Sequence, residues 1–355
     1  MITIKQIAAL SGVSQTTVSN VIHGRTAKVS DEKKEKIEKI LKEQNYVANM
    51  GARIIGNHGS RLIALVFCYR TAEKETLAQD PFASSIIGSV ELEIRKHGYF
   101  MILYNTAVID ECLQMARAWN IEGMIIVGAQ KDGYYKLRDA LEIPVVSIDT
   151  CFDENDNDYV NIGLQDLEGM SMMTDYLISM GHREIGFMTL GRSRFGGAKA
   201  SEIDLLREKG YRDSMMRNGI VVKSEWITPL KFDENERIEQ FADMARTGFY
   251  GCSALFFASD QLAMEAMMTF RDQGVRTPDS ISIAGFDDIK LAHQLSPGLT
   301  TVHQDFSKKG ECAVTQLMKL IKGENVGKID IKLPVRLMIR ETVRKYKKDE
   351  KYNYE

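Results

Sequence analysis

Two groups of residues have the types and spacing to do chemistry. The first lies in Gln15, Thr16, Ser19 and Asn20. Short amides carry a donor and an acceptor that match the edge of adenine, and a threonine methyl can touch the thymine methyl. Such a set reads base edges and performs no bond cleavage. The second group centres on Asp287, at the end of the apolar run Ile281–Phe286. In open α/β sheets ligands sit beyond the carboxyl ends of strands, so a carboxylate there is placed to hold one.

The first group needs helices to present it. Thr3 followed by Gln6 is a reciprocal capping pattern, and Ile4, Ile7, Ala8 and Leu10 follow at helical spacing. Ser11-Gly12-Val13 breaks the helix, with Gly12 free to take a left-handed turn. Ser14 then caps a second helix with Val18, Val21 and Ile22 inward and the polar set outward. Ser30 caps a third, with Ile37, Ile40 and Leu41 inward and Lys33, Lys34, Lys36 and Lys39 available to phosphates. Two short helices joined by a glycine turn form a helix-turn-helix whose second helix can enter a major groove. Taken alone, the pair is equally an ordinary hairpin with a solvated polar face.

From Leu62 on, apolar runs alternate with helical patterns. Leu62–Cys68, Tyr99–Tyr104, Met124–Val127 and Val145–Ile148 read as buried strands, with helices near Ala83–His97, Val108–Asn120 and Gly133–Leu141. A second series has strands Ile185–Leu190, Ala254–Ala258 and Ile281–Phe286, with helices near Leu167–Met180, Leu205–Asn218, Glu234–Arg246 and Gln261–Gln273. The expected fold is an all-α helix-turn-helix headpiece on an α/β core of two doubly wound lobes with a cleft between them. Between headpiece and core, Tyr46–Ile55 is a short helix candidate weakened by Gly51, and Gly56–Ser60 reads as a flexible linker.

Bulk properties agree with this division. The 355 residues suggest two or three folding units, and the net charge of −3 hides an asymmetry. Residues 1–58 hold nine Lys and Arg against five Asp and Glu, while the rest holds 37 against 44. A small basic unit on a larger acidic one suits local contact with DNA. Cys68, Cys112, Cys151, Cys252 and Cys312 have no ligand spacing and read as free thiols of a reducing compartment. No apolar run reaches membrane-spanning length and no signal peptide is evident, so a cytoplasmic protein is expected.

Enzymatic readings find little support. Gly191–Gly197 is glycine-rich but lacks the Gly-Lys-Ser/Thr ending of a P-loop, and no Gly-x-Ser-x-Gly elbow occurs. The acidic run Asp153–Asp158 lacks the glycine and glutamate positions of a calcium loop. No catalytic residue, metal site or cofactor is expected.

The run Val13-Ser14-Gln15-Thr16-Thr17-Val18-Ser19 resembles the headpiece signature of LacI/GalR-type transcription regulators. The resemblance continues through Gly181-His182-Arg183-Glu184-Ile185-Gly186, Arg207-x-x-Gly210-Tyr211, Ala258-Ser259-Asp260-Gln261, Gly285-Phe286-Asp287-Asp288 and Leu299-Thr300-Thr301-Val302. It implies a periplasmic-binding-protein-like core and an effector-controlled regulator, most simply a repressor. The implied partners are a pseudo-palindromic operator, a second copy of the chain and a small sugar or sugar-derived effector; no membrane is implied.

Carried over residue by residue, the resemblance places Thr3, Ser14, Gln15, Thr16, Thr17, Ser19, Asn20, His23, Val29, Tyr46, Asn49, Ala52 and Ile55 at the DNA. Ile55, at the usual leucine position, would wedge into the minor groove from a hinge helix; a plain linker is the other reading. Arg207 and Asp287 match effector-binding positions, against which stands a structural ion pair. Phe82 and Phe232 match stacking aromatics or are simply core residues, while Asp149, Ser259 and Phe306 align with pocket positions. Ala83 and Ser259 depart from the common aromatic and asparagine, which points to a different ligand. The expected divisions are a headpiece at 1–46, a hinge and linker at 47–60, a core at 61–345 and a tail at 346–355. Within the core, one lobe would take 61–163 with 292–323 and the other 164–291 with 324–345. A solute-binding protein with the same core but no regulatory role is the alternative.

Overall fold

The computed structural model describes residues 2–22, 26–44, 46, 59–69, 76–190 and 202–346. The chain divides into two compact units, Met1–Ser60 and Arg61–Glu355.

In the first unit, α1 (Ile4–Ser11), α2 (Gln15–Ile22) and α3 (Asp31–Glu43) enclose Ile7, Ala8, Val18, Val21 and Ile37. The Thr3–Gln6 capping box forms in both directions, and Gly12 ends α1 at φ 71°. Two expectations fail locally. Leu10 faces outward, and the buried position of that turn belongs to Ser11, whose hydroxyl donates to the carbonyl of Ile7 at 2.6 Å. Ser30 occupies the cap position of α3 without a side-chain cap bond; Asp31 and Glu32 supply negative charge to that first turn instead.

The second unit contains two six-stranded sheets. One runs β11-β5-β4-β3-β1-β2 from β1 (Leu62–Phe67), β2 (Phe100–Asn105), β3 (Gly123–Val127), β4 (Val145–Ile148), β5 (Val160–Leu164) and β11 (Ile329–Leu333), all pairs parallel. The other runs β12-β10-β9-β8-β6-β7 from β6 (Ile185–Thr189), β7 (Ile227–Pro229), β8 (Ala254–Phe257), β9 (Ser282–Asp287), β10 (Thr300–His303) and β12 (Arg336–Met338). Among the described residues only the β10–β12 pair is antiparallel. The central strands are buried along their whole length, as parallel strands covered on both faces must be, whereas β2, read from its apolar run as buried, is a half-exposed edge strand covered on fewer sides.

Among the described residues three chain crossings join the lobes; the first follows β5 as expected, and the other two fall elsewhere. Thr300–His303 pairs with β9 and so stays in the second lobe, which moves the return crossing from 292 to about Gln304. Ile329–Leu333 pairs with β5, so the first lobe keeps the chain to Leu333 rather than 323. These strands, with β5, β7 and β12, and α11 (Phe306–Ile321) are the elements that apolar runs did not announce. Strand β11 alternates half-buried and exposed residues at a sheet edge, so it carries no continuous apolar run. The first and third crossings are tied side by side, the Gln165 amide donating to the Leu333 carbonyl, and the second is tied to the end of β9, the Gln304 amide donating to the Asp287 carbonyl.

Candidate functional site

In the headpiece, α2 begins with a cap: Ser14 Oγ accepts from the Thr17 amide at 3.1 Å and bonds the Thr17 hydroxyl at 2.9 Å. That ties Ser14 and Thr17 to the local fold. Gln15 and Thr16 on the first turn are exposed, and Ser19 and Asn20 are half-buried beside them. Exposed residues at the start of the second helix are those a major groove would meet. Thr3, with its hydroxyl in the capping box, is exposed, while Val29 and Tyr46 are half-buried against the small core. Two of the α3 lysines already have carboxylate neighbours one turn on, Lys34 with Glu38 and Lys39 with Glu43. His23, Asn49, Ala52 and Ile55 lie outside the described residues.

In the core, a cleft opens at the carboxyl ends of both sheets. Phe82, Asp149, Arg207, Phe232, Ser259 and Asp287 line it, together with Tyr69, Asp80, Gln130, Glu202, Asp204 and Arg237. Phe306 does not. It packs edge-on against Phe82, ring centroids 5.9 Å apart, and so backs the cleft wall. Ala83, at the neighbouring position, is wholly buried in the core.

Local backbone geometry aims the acids. Asp149 follows β4 with φ 56°, and Asp287 ends β9 with φ 120°. Positive φ is unfavourable for any residue with a Cβ, and such conformations cluster where function demands a particular direction. On the first wall Asp80 caps α4 (Pro81–Lys96), accepting from the Phe82 and Ala83 amides, and so holds Phe82 at the helix start. On the second, Ser259 caps α10 (Asp260–Asp272), and Arg237 donates to the Lys231 and Phe232 carbonyls.

Arg207 lies on α8 (Glu202–Arg217), with its guanidinium 3.8 Å above the Phe286 ring. Its Nε donates to Asp166 Oδ1 at 2.8 Å and its Nη1 to the Ala258 carbonyl. The ion pair is therefore with Asp166 rather than with Asp287. Asp287 instead accepts from Gln304 Nε2 at 2.6 Å. Lys309, on α11, donates to both oxygens of Asp149, at 3.0 and 2.8 Å, and to Gln304 Oε1 at 2.8 Å. Burial raises the Asp287 carboxyl to about 7, although the Arg207 charge pulls it back down. Burial also raises Asp166 and Asp260; the latter accepts from the Ile289 amide and the Thr301 hydroxyl beneath the cleft floor.

The arrangement can grip a small polar molecule between two aromatic faces and several fixed acceptors. Among the described residues no three His, Cys, Asp or Glu converge in a metal-holding group. Asp166, Gln304 and Lys309 were missed by sequence reasoning, because they touch the cleft residues only from behind.

Comparisons with known proteins bear on both units. Residues 3–49 match a family described as bacterial regulatory proteins, lacI family, and residues 174–343 match a periplasmic binding protein-like domain. The ribose operon repressor of Haemophilus influenzae is 30% identical over 349 residues, covering 97% of this chain and 99% of the relative. The HTH-type transcriptional repressor PurR of Vibrio campbellii is 30% identical over 353 residues with the same coverage. Among solved structures, the lac repressor dimer bound to operator and the anti-inducer ONPF superposes with a TM-score of 0.79 at 24% identity, over 97% of this chain and 99% of that one. The transcriptional regulator CelR in complex with cellobiose gives 0.68 at 23%, over 97% and 100%.

Proposed function

The chain belongs to the lacI family of bacterial regulatory proteins, and from that premise we propose how its two units share the work. It is a DNA-binding transcriptional regulator, and the relatives aligned along its length are repressors. As a homodimer it holds a pseudo-palindromic operator, one α2 per half-site, with Gln15, Thr16 and Asn20 at base edges. A small sugar in the core cleft sets operator affinity. Similar solved structures support that class: the regulator CelR holds cellobiose, and a LacI family regulator from Enterococcus faecium holds ribose. Phe82 and Phe232 stack on the ring, and Asp149, Arg207, Ser259 and Asp287 meet its hydroxyls.

The ligand changes the angle between lobes, and the hinge segment, with Ile55 as a minor-groove wedge, passes that change to the DNA. The reading includes a cytoplasmic location and no catalytic step; among the described residues no helix is long and apolar enough to cross a membrane. A purely solute-binding role finds no support among relatives that carry the headpiece.

One observation carries the reading: a single chain joins a helix-turn-helix with an exposed polar second helix to an α/β core whose cleft gathers six expected ligand residues. Selection from random duplexes with the full-length protein should enrich a two-fold-symmetric site. Titration of D-ribose or cellobiose should then change the affinity for that site. Binding without any enriched half-site would overturn the operator reading.

A further inference from the structure

Helix α11 buries an apolar stripe through Ala313, Val314 and Leu317, yet the same buried side carries Lys309, which is wholly enclosed. A buried ammonium is costly unless every N–H finds a partner. Here three contacts match its three donors: Asp149 Oδ1, Asp149 Oδ2 and Gln304 Oε1. The third contact removes an ambiguity. An amide side chain can ordinarily be turned end for end. An ammonium offers no acceptor, so the oxygen of Gln304 must face Lys309 and its nitrogen must face Asp287.

Asp287 Oδ1 is therefore always an acceptor, bound at 2.6 Å. Oδ2 makes no hydrogen bond among the described residues, and Asp287 lines the cleft. The connection also spans the molecule. Asp149 follows β4 of the first lobe, Lys309 lies on α11 beside that sheet, and Asp287 ends β9 of the second lobe.

We propose that Lys309 is a positioning residue that decides ligand chemistry: by fixing the direction of Gln304 it ties Asp149 to Asp287 and leaves Oδ2 as the oxygen of Asp287 that meets the ligand. The proposal rests on the cleft being the effector site. Its consequence is a ligand class. Any proton on Asp287 sits on Oδ2, so the facing group must accept from an acid and donate to a carboxylate. A hydroxyl does both, whereas a fully ionised phosphate ester has no proton to donate to the ionised form. Asp149, with both oxygens engaged by Lys309, likewise presents a neutralised pair rather than an open carboxylate.

The groups around Asp287 are Arg207 on α8, Gln304 and Lys309, Asp80 before α4, Asp260 on α10 and its neighbour Asp288. Of these, Arg207 most, then Gln304 and Lys309, favour the ionised form against the burial that opposes it. Carbon-13 titration of aspartate carboxyls in full-length, ligand-free protein reads Asp287 directly, with Asp287→Asn identifying its signal. Lys309→Met should move the Asp287 midpoint upward by about one pH unit, since a cation and an anchored donor are lost together. An unmoved midpoint in folded Lys309→Met overturns the proposal. If that variant fails to fold because Asp149 is stranded, Lys309→Met with Asp149→Leu removes both charges. It should shift the midpoint in the same direction, and an unmoved midpoint there is equally fatal. Thermal shift with D-ribose and cellobiose tests the cleft separately. Stabilisation of the unsubstituted protein that disappears in Lys309→Met supports the ligand class, and equal stabilisation refutes it. No stabilisation by either sugar counts against the effector reading, and so against the ligand class, while the titration still judges Lys309.

Discussion

The headpiece and the core solve opposite problems. In the headpiece, a core of five buried apolar residues holds up a site that is all surface: Gln15 and Thr16 are exposed and stand one residue apart on one helix turn. In the core, large apolar layers surround a site whose decisive groups are ionisable and come from opposite lobes: Asp166, Arg207, Asp287 and Lys309, all buried, and the half-buried Asp149. A surface reader can lose a side chain and keep its fold. A buried ionic site cannot, because each group balances the desolvation of another.

The sharpest break of that contrast is Arg207→Ala. It strands Asp166, which is wholly enclosed, so beyond the loss of ligand response the core should lose about 3–5 kcal/mol. Denaturant unfolding of the core would measure it. A change below about 1 kcal/mol would place this ion pair with weakly contributing surface pairs.

Next comes Ile7→Ala in the headpiece, expected to cost about 2–4 kcal/mol. A unit of some sixty residues has only a few kcal/mol in total. Operator binding should therefore vanish while the core transition stays in place. Loss of both transitions together would mean that the two units do not unfold separately.

Smaller again is Thr16→Ala, which should cost roughly 1–3 kcal/mol of specific binding per half-site. Headpiece melting should be unchanged, because the side chain is exposed. Equal loss on operator and random duplexes would reassign Thr16 to phosphate contact.

The last effect is a slope rather than a step. The carboxyl of Asp287 sits at about 7 in the folded protein because burial disfavours its charge, well above its unfolded value. The folded state thus keeps a proton that the unfolded state releases, and stability falls as pH rises from about 4 to about 7. Asp287→Asn should flatten part of that decline. Only part is expected, since burial also raises Asp166 and Asp260, which slope the same way. A chemical-denaturation series across that range would show it, and an unchanged slope would remove Asp287 from the account.

What the sequence determined by itself is whatever depends on near neighbours. The Thr3–Gln6 box, the Gly12 turn and the Ser14 cap each close within a few residues, and the central strands declared themselves by continuous apolar runs. Asp287 and Asp149 could be placed because each directly follows or ends such a strand. Tertiary structure alone decided the rest. Leu10 and Ser11 exchange inside and outside because one helix face must fit two neighbours at once. The edge strand Ile329–Leu333 shows its half-buried alternation only beside β5. Lys309 reads as a solvated lysine in Ser307-Lys308-Lys309, yet it is buried because its partner Asp149 stands 160 residues earlier. No local pattern can announce a partner at that distance. The cleft's polarity is thus a property of the assembled lobes, whereas the headpiece's reading surface was already present in one helix.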